Sequence, residues 1–176
     1  MPATSKYVAL FRGINVGTAK QLSMADLKRV LDDLGFQSVN TVLRSGSAVF
    51  STDSRPTAST IEAAVETASG IHSDVIVLSA AEFTEIVDAN PLIEAMTDGS
   101  KSFITFVDGS LEGVESPDVG ALSPELMAIG TKAIYQWMPD GSLQTKVPKS
   151  FWKSIHATLT ARNLNTVKKV QALLEG

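Results

Sequence analysis

Tyr7-Val-Ala-Leu-Phe11 is an unbroken apolar run, the right length for a strand buried on both faces. The glycine-punctuated loop Gly13-Ile-Asn-Val-Gly17 follows it, and Ser23 then starts a helix, with Asp26 supporting the positive helix end. Leu27, Val30, Leu31 and Leu34 recur at i, i+3, i+4 and i+7, one face of that helix, and Gly35 stops it. Val39–Leu43 and Ala48–Phe50 read as strands joined by the turn Arg44-Ser-Gly-Ser47. After Pro56, Ile61, Val65 and Ala68 share a second helical face that ends at Gly70, and Asp74–Leu78 is a fourth strand. This order, β-α-β-β-α-β, predicts the split βαβ arrangement of a ferredoxin-like fold with an antiparallel sheet.

The second half repeats the mixture of periods. Ser79-Ala-Ala-Glu82 is a capping box, followed by Phe83, Ile86 and Val87 at helical spacing until Asn90-Pro91. Lys101–Val107 is a strand, and residues 108–124, rich in Gly, Ser, Pro and acids, read as a loop. Leu126–Ile129 and Ala133–Met138 form a hairpin around Gly130-Thr-Lys132. Lys149–His156 is a short helix, Thr158–Ala161 a brief strand and Asn165–Glu175 a last helix. The expected fold class is α+β, with two ferredoxin-like α/β plaits: residues 1–79, and a more irregular second domain over 80–176.

Composition narrows the chemistry. The 176 residues contain no cysteine, which excludes disulfides, thiolate metal sites and a cysteine nucleophile, and only two histidines, His72 and His156. No H-x-x-x-H or H-E-x-x-H pairing exists, so neither a metal nor a cofactor is expected. Met1–Lys6 has no apolar stretch flanked by bases and no run approaches membrane-span length, so a cytoplasmic protein without membrane contact is the default expectation. The net charge of −4 argues against a generally basic nucleic-acid binder. Its distribution is uneven: residues 1–79 are neutral, 80–125 carry −9 and 126–176 carry +5. The acidic and basic segments are expected either to pair with each other or to leave an anion-binding face on the basic one.

Leu10-Phe-Arg-Gly-Ile-Asn-Val-Gly17 resembles the opening motif of the bacterial family called domain of unknown function 1697. Met24 with Leu27, Ser45-Gly46 with Val49-Phe50, Tyr135 with Asp140-Gly141 and Thr145-Lys146, and Thr160-Ala-Arg-Asn-Leu-Asn-Thr166 resemble further family segments in the same order. The chain departs from the pattern at Thr18, at Ser47-Ala48 and at Leu164, where the family has a second glycine, Asn-Val and a tryptophan. The resemblance implies two α/β plaits and supplies no reaction.

Candidate chemistry follows from the polar motifs. Arg12, Gly13, Asn15 and Gly17 occupy a tight loop after the first strand, a place where phosphates bind backbone N–H groups; the same glycines also suit plain turns. Arg162 offers a fork to a carboxylate or phosphate, or pairs with an acid across the domain interface, and Asn163 or Asn165 caps the last helix. Lys146 and Ser45 belong to the family-like segments. Together these residues suggest a binding module for an anionic ligand, a phosphorylated small molecule or a nucleic acid, in a cleft between the domains. The alternatives are a metal- and thiol-independent transferase or hydrolase using His156 or Asp140 as base, and a homodimer built through exposed sheet edges. Ser150-Phe-Trp-Lys153 fits S-x-x-K without its partner motifs. Tyr135, Trp137, Phe151 and Trp152 are expected in the core, with base stacking as the other use of such aromatics.

Overall fold

The computed structural model describes residues 4–13, 21–42 and 46–176. The fold is mixed α+β, with two four-stranded antiparallel sheets. The chain divides into two compact units, residues 1–84 with 168–176, and residues 85–167. Residues 168–176 thus belong with the first unit, where the sequence reading kept them with the second. Lys6 Nζ donates to the carbonyls of Leu173 and Gly176, tying this end of the chain to the first strand.

In the first unit, strand β1 (Ser5–Phe11) leads to helix α1 (Met24–Asp33) and strands β2 (Gln37–Val42) and β3 (Ser47–Thr52). Helix α2 (Ala58–Ser69) and strand β4 (Val75–Ser79) complete the sheet, whose order is β2-β3-β1-β4. Local chemistry sets the boundaries. The Ser23 hydroxyl accepts the Asp26 N–H at 3.0 Å, and Gly35 turns the chain at φ +89°, where a side chain would be strained. Thr57 caps α2 and Gly70, at φ +73°, ends it. The core of this unit gathers Tyr7, Ala9 and Phe11 of β1 with Leu27 and Leu31 of α1 and Ile61 and Val65 of α2. The Phe36 and Phe50 rings stack at 4.3 Å between centroids. The other face of β1, Val8 and Leu10, is also fully buried, which is why this strand reads as a continuous apolar run.

Helix α3 (Ala80–Asp88) opens with the expected capping box: the Ser79 N–H donates to Glu82 Oε1 at 2.8 Å and the Glu82 N–H to Ser79 Oγ at 3.1 Å. Partial burial works against the Glu82 carboxylate. The Ser79 donors and Arg55, 2.8 Å away, outweigh it and hold Glu82 below the usual carboxylate range.

In the second unit, β5 (Ser102–Asp108) is followed by helix α4 (Val119–Leu122), β6 (Leu126–Ile129), β7 (Ala133–Trp137), helix α5 (Lys149–Lys153) and β8 (Thr158–Asn163); helix α6 (Leu164–Glu175) begins in this unit, and its residues from Lys168 onward belong with the first. The sheet order is β6-β7-β5-β8, the same succession as in the first sheet. One sheet face, with Val107, Met127 and Ile134, packs on Leu122 of α4, Phe151 of α5 and Ile155. The segment expected to be a loop, 108–124, therefore contains a helical turn, because Leu122 is needed in this core and Asp118 caps the turn through the Gly120 N–H at 3.0 Å. No helix among the described residues is long and apolar enough to cross a membrane.

Candidate functional site

Arg12 lies just beyond the C-terminal end of β1. Its backbone is held on both sides: its N–H donates to the Asp74 carbonyl at 2.9 Å, and its carbonyl accepts the Ser73 hydroxyl at 2.8 Å. Ser73 is buried, so this support is fixed. The Arg12 side chain is exposed, and its guanidinium has no hydrogen bond or ion pair among the described residues. Gly13 is exposed at φ +69°, with open space where a Cβ would stand. Asn15, Gly17 and Ser45 lie outside the described residues.

The remaining candidates occupy the second unit and are engaged with the protein itself. Arg162 sits on β8, opposite Ile104, and shares a sheet face with Tyr135. It is only 6% exposed, and its Nη1 donates to Thr160 Oγ1 at 2.6 Å and to the Ala161 carbonyl at 2.9 Å. Burial pulls its pKa down to about 10, which still leaves it cationic at neutral pH. Tyr135, also buried, donates its hydroxyl to the Ile86 carbonyl at 2.6 Å, and burial raises its pKa.

Lys146 belongs to a clasp. Glu125 is a buried carboxylate that accepts the Thr145 hydroxyl and the Lys146 N–H, both at 2.6 Å. The Lys146 ammonium donates to the Ser123 carbonyl at 2.7 Å. Asn163 caps α6 through the Thr166 N–H at 2.9 Å. Asn165 lies against Gly99, where an added Cβ would overlap its side-chain oxygen. Lys146 and Arg162 thus occupy separate networks.

Among the described residues, neither candidate base, His156 or Asp140, makes a side-chain hydrogen bond or ion pair. His156 is exposed and makes no hydrogen bond among the described residues, while the Ser154 hydroxyl donates to the Phe151 carbonyl at 2.6 Å. His72 bridges Glu66 and Asp74 at 3.3 and 3.4 Å on the surface of the first unit. Among the described residues, no group of three metal-ligating side chains converges. Phe151 and Tyr135 are buried, and Trp152 meets Phe151 edge-on at 5.0 Å, so these aromatics pack the interior. No ion pair among the described residues joins the acidic segment 80–125 to the basic segment 126–176.

Two residues that organise these positions were invisible in the sequence reading: Ser73, which supports Arg12, and Glu125, which holds Thr145 and Lys146. Their partners are 61 and about 20 positions away, so no local spacing could reveal them. Thr145-Lys146 stood out only through its resemblance to a family segment.

The arrangement is that of an α+β protein with two antiparallel sheets of the same strand order and, among its candidate cations, one exposed arginine that is unengaged among the described residues. The family model described as "Protein of unknown function (DUF1697)" matches residues 4–135, and the chain belongs to that family. No curated protein matches it. Among solved structures, it is similar to the conserved bacterial protein SP0830 from Streptococcus pneumoniae. The two share 24% sequence identity and a TM-score of 0.67, over 98% of this chain and 99% of that one. At this identity, the likeness concerns the fold.

Proposed function

We propose that the protein is a non-enzymatic binding module, built from ferredoxin-like plaits, that takes an anionic ligand on Arg12. The ligand class is a phosphorylated small molecule or a nucleic-acid segment. The observation that carries this reading is the contrast among the cations. Lys146 spends its ammonium on a carbonyl and Arg162 is buried against Thr160 and Ala161, whereas Arg12, from a backbone clamped by Ser73 and Asp74, presents an exposed fork with no partner among the described residues. A guanidinium offers two parallel donors to phosphate oxygens, and a clamped backbone reduces the ordering cost of binding. The sheet succession β2-β3-β1-β4 supports the plait assignment.

The test is calorimetric titration with inorganic pyrophosphate and with a short single-stranded oligonucleotide, at low and high salt. Binding that weakens with salt and is lost in Arg12→Ala, at unchanged thermal stability, supports the proposal. Absence of binding to both probes at low salt overturns it, as does equal binding by Arg12→Ala.

A further inference from the structure

The start of β4 places a carboxylate opposite Arg12. Phe11 pairs with Val75, and the Arg12 N–H donates to the Asp74 carbonyl at 2.9 Å, so the β1–β4 register runs on by one step and makes Asp74 the cross-strand partner of Arg12. Side chains directly opposite in an antiparallel pair share a face, with Cβ atoms about 4.5–5.5 Å apart. Among the described residues, however, no ion pair joins Arg12 to Asp74. Asp74 Oδ1 lies instead 3.4 Å from His72 Nε2.

His72 is held on its other side by Glu66 of α2, whose Oε2 lies 3.3 Å from Nδ1. Glu66, from α2, and Asp74, from the approach to β4, are the charged groups that act on the imidazole. Glu62, also of α2, is taken up by the Val75 N–H at 2.9 Å. Both ring nitrogens of His72 thus face carboxylate oxygens, and an imidazole donates from both nitrogens only when it is protonated. On losing a proton it keeps one donor and releases one carboxylate. Glu66 acts on the ring more strongly than Asp74 does, so the remaining proton stays on Nδ1 and Asp74 is the one released.

We infer that Asp74 regulates the anion site of Arg12 by exchanging partners: protonated His72 holds the Asp74 carboxylate and leaves the guanidinium to the ligand, whereas neutral His72 releases Asp74 to pair with Arg12 in the ligand's place. The inference rests on the reading of Arg12 as an anion site. The local charge acts in the same direction, because His72, Glu66 and Asp74 together carry one net negative charge when His72 is protonated and two when it is neutral. The two carboxylates raise the His72 pKa above 6.5, so anion binding is tightest below that raised value and weakens as pH rises through it. An exposed ion pair such as Arg12–Asp74 is weak, and its competition reduces anion affinity about two- to fivefold. By reciprocity, a bound anion makes His72 harder to deprotonate by the same factor.

The experiment is calorimetric titration of the full chain with a short oligothymidylate between about pH 5 and 8, a range in which histidine titrates and this ligand does not. The parent protein is expected to bind about two- to fivefold more tightly at the acidic end. Asp74→Asn is expected to keep the tight affinity across the range, and His72→Ala the weak one. His156→Gln, in the second unit, retains the pH dependence of the parent. A ligand-free readout is the His72 titration followed by NMR. Arg12→Ala removes the competitor for Asp74 and is expected to raise the His72 pKa, and to raise it less when Asp74 is already asparagine. No oligonucleotide binding at any pH overturns the anion-binding reading and its regulation together. Binding without pH dependence, an equal dependence in Asp74→Asn, or a His72 titration that Arg12→Ala leaves unmoved or moves equally in both backgrounds overturns the exchange of Asp74 alone.

Discussion

Glu125 gives the sharpest test of how the second unit is held. Its carboxylate, 4% exposed, accepts two donors at 2.6 Å, the Thr145 hydroxyl and the Lys146 N–H. A hydrogen bond to a charged group contributes roughly 1.5–3 kcal/mol. Thr145 and Lys146 are exposed, so water re-satisfies them once the carboxylate is gone, and the lower end of that range applies. Glu125→Ala is then expected to cost about 3 kcal/mol, and Thr145→Val, which removes one bond, about 1.5 kcal/mol. At about 2–4 °C per kcal/mol for a chain of this size, Glu125→Ala lowers the melting temperature by roughly 6–12 °C. Urea unfolding followed by tryptophan fluorescence reads the correct region, because Trp137 and Trp152, the two tryptophans of the chain, both lie in the unit of residues 85–167. The double variant isolates the bond between the side chains: a coupling near 1.5 kcal/mol is expected. Coupling near zero, with Glu125→Ala costing under about 0.5 kcal/mol, would refute the clasp and return Lys146 to the functional candidates.

Three further outcomes follow from the same contacts. Arg12→Ala should leave stability within about 0.5 kcal/mol, whereas Arg162→Ala, which removes a buried hydrogen-bonded cation, should cost about 3 kcal/mol or more in urea unfolding. Asn163→Ala deletes the α6 cap and should cost about 1 kcal/mol, with Asn163→Asp largely restoring it. The Glu66 hydrogen bond, together with the charges of Glu66 and Asp74, raises the His72 pKa above 6.5, so its stabilising contribution is complete below about pH 6.5 and is lost as pH rises through the raised value. An NMR titration should find that raised value, and Glu66→Gln should bring it back towards 6.5; an unperturbed His72 in the parent protein contradicts the bridge.

Nearly all elements of both sheets were legible in the sequence because they depend on local physics. Ser23, the Ser79–Glu82 box, Gly35 and Gly70 act within a few residues of themselves, and the apolar period of α1 is a property of one helix. Even the less regular second half follows from such signals, apart from the α4 turn, whose reason is Leu122 entering a core assembled from distant strands. The candidate site was less legible. An arginine in a motif looks the same whether it is exposed, as Arg12 is, or buried in a strand, as Arg162 is, and Lys146 gives no hint of a carbonyl at Ser123. By itself the sequence determined the elements, their order and the absence of thiol chemistry. Only the tertiary structure decided which cations are engaged, which carboxylate is buried and which residue stands opposite Arg12, because partners, burial and strand pairing depend on residues distant in the chain.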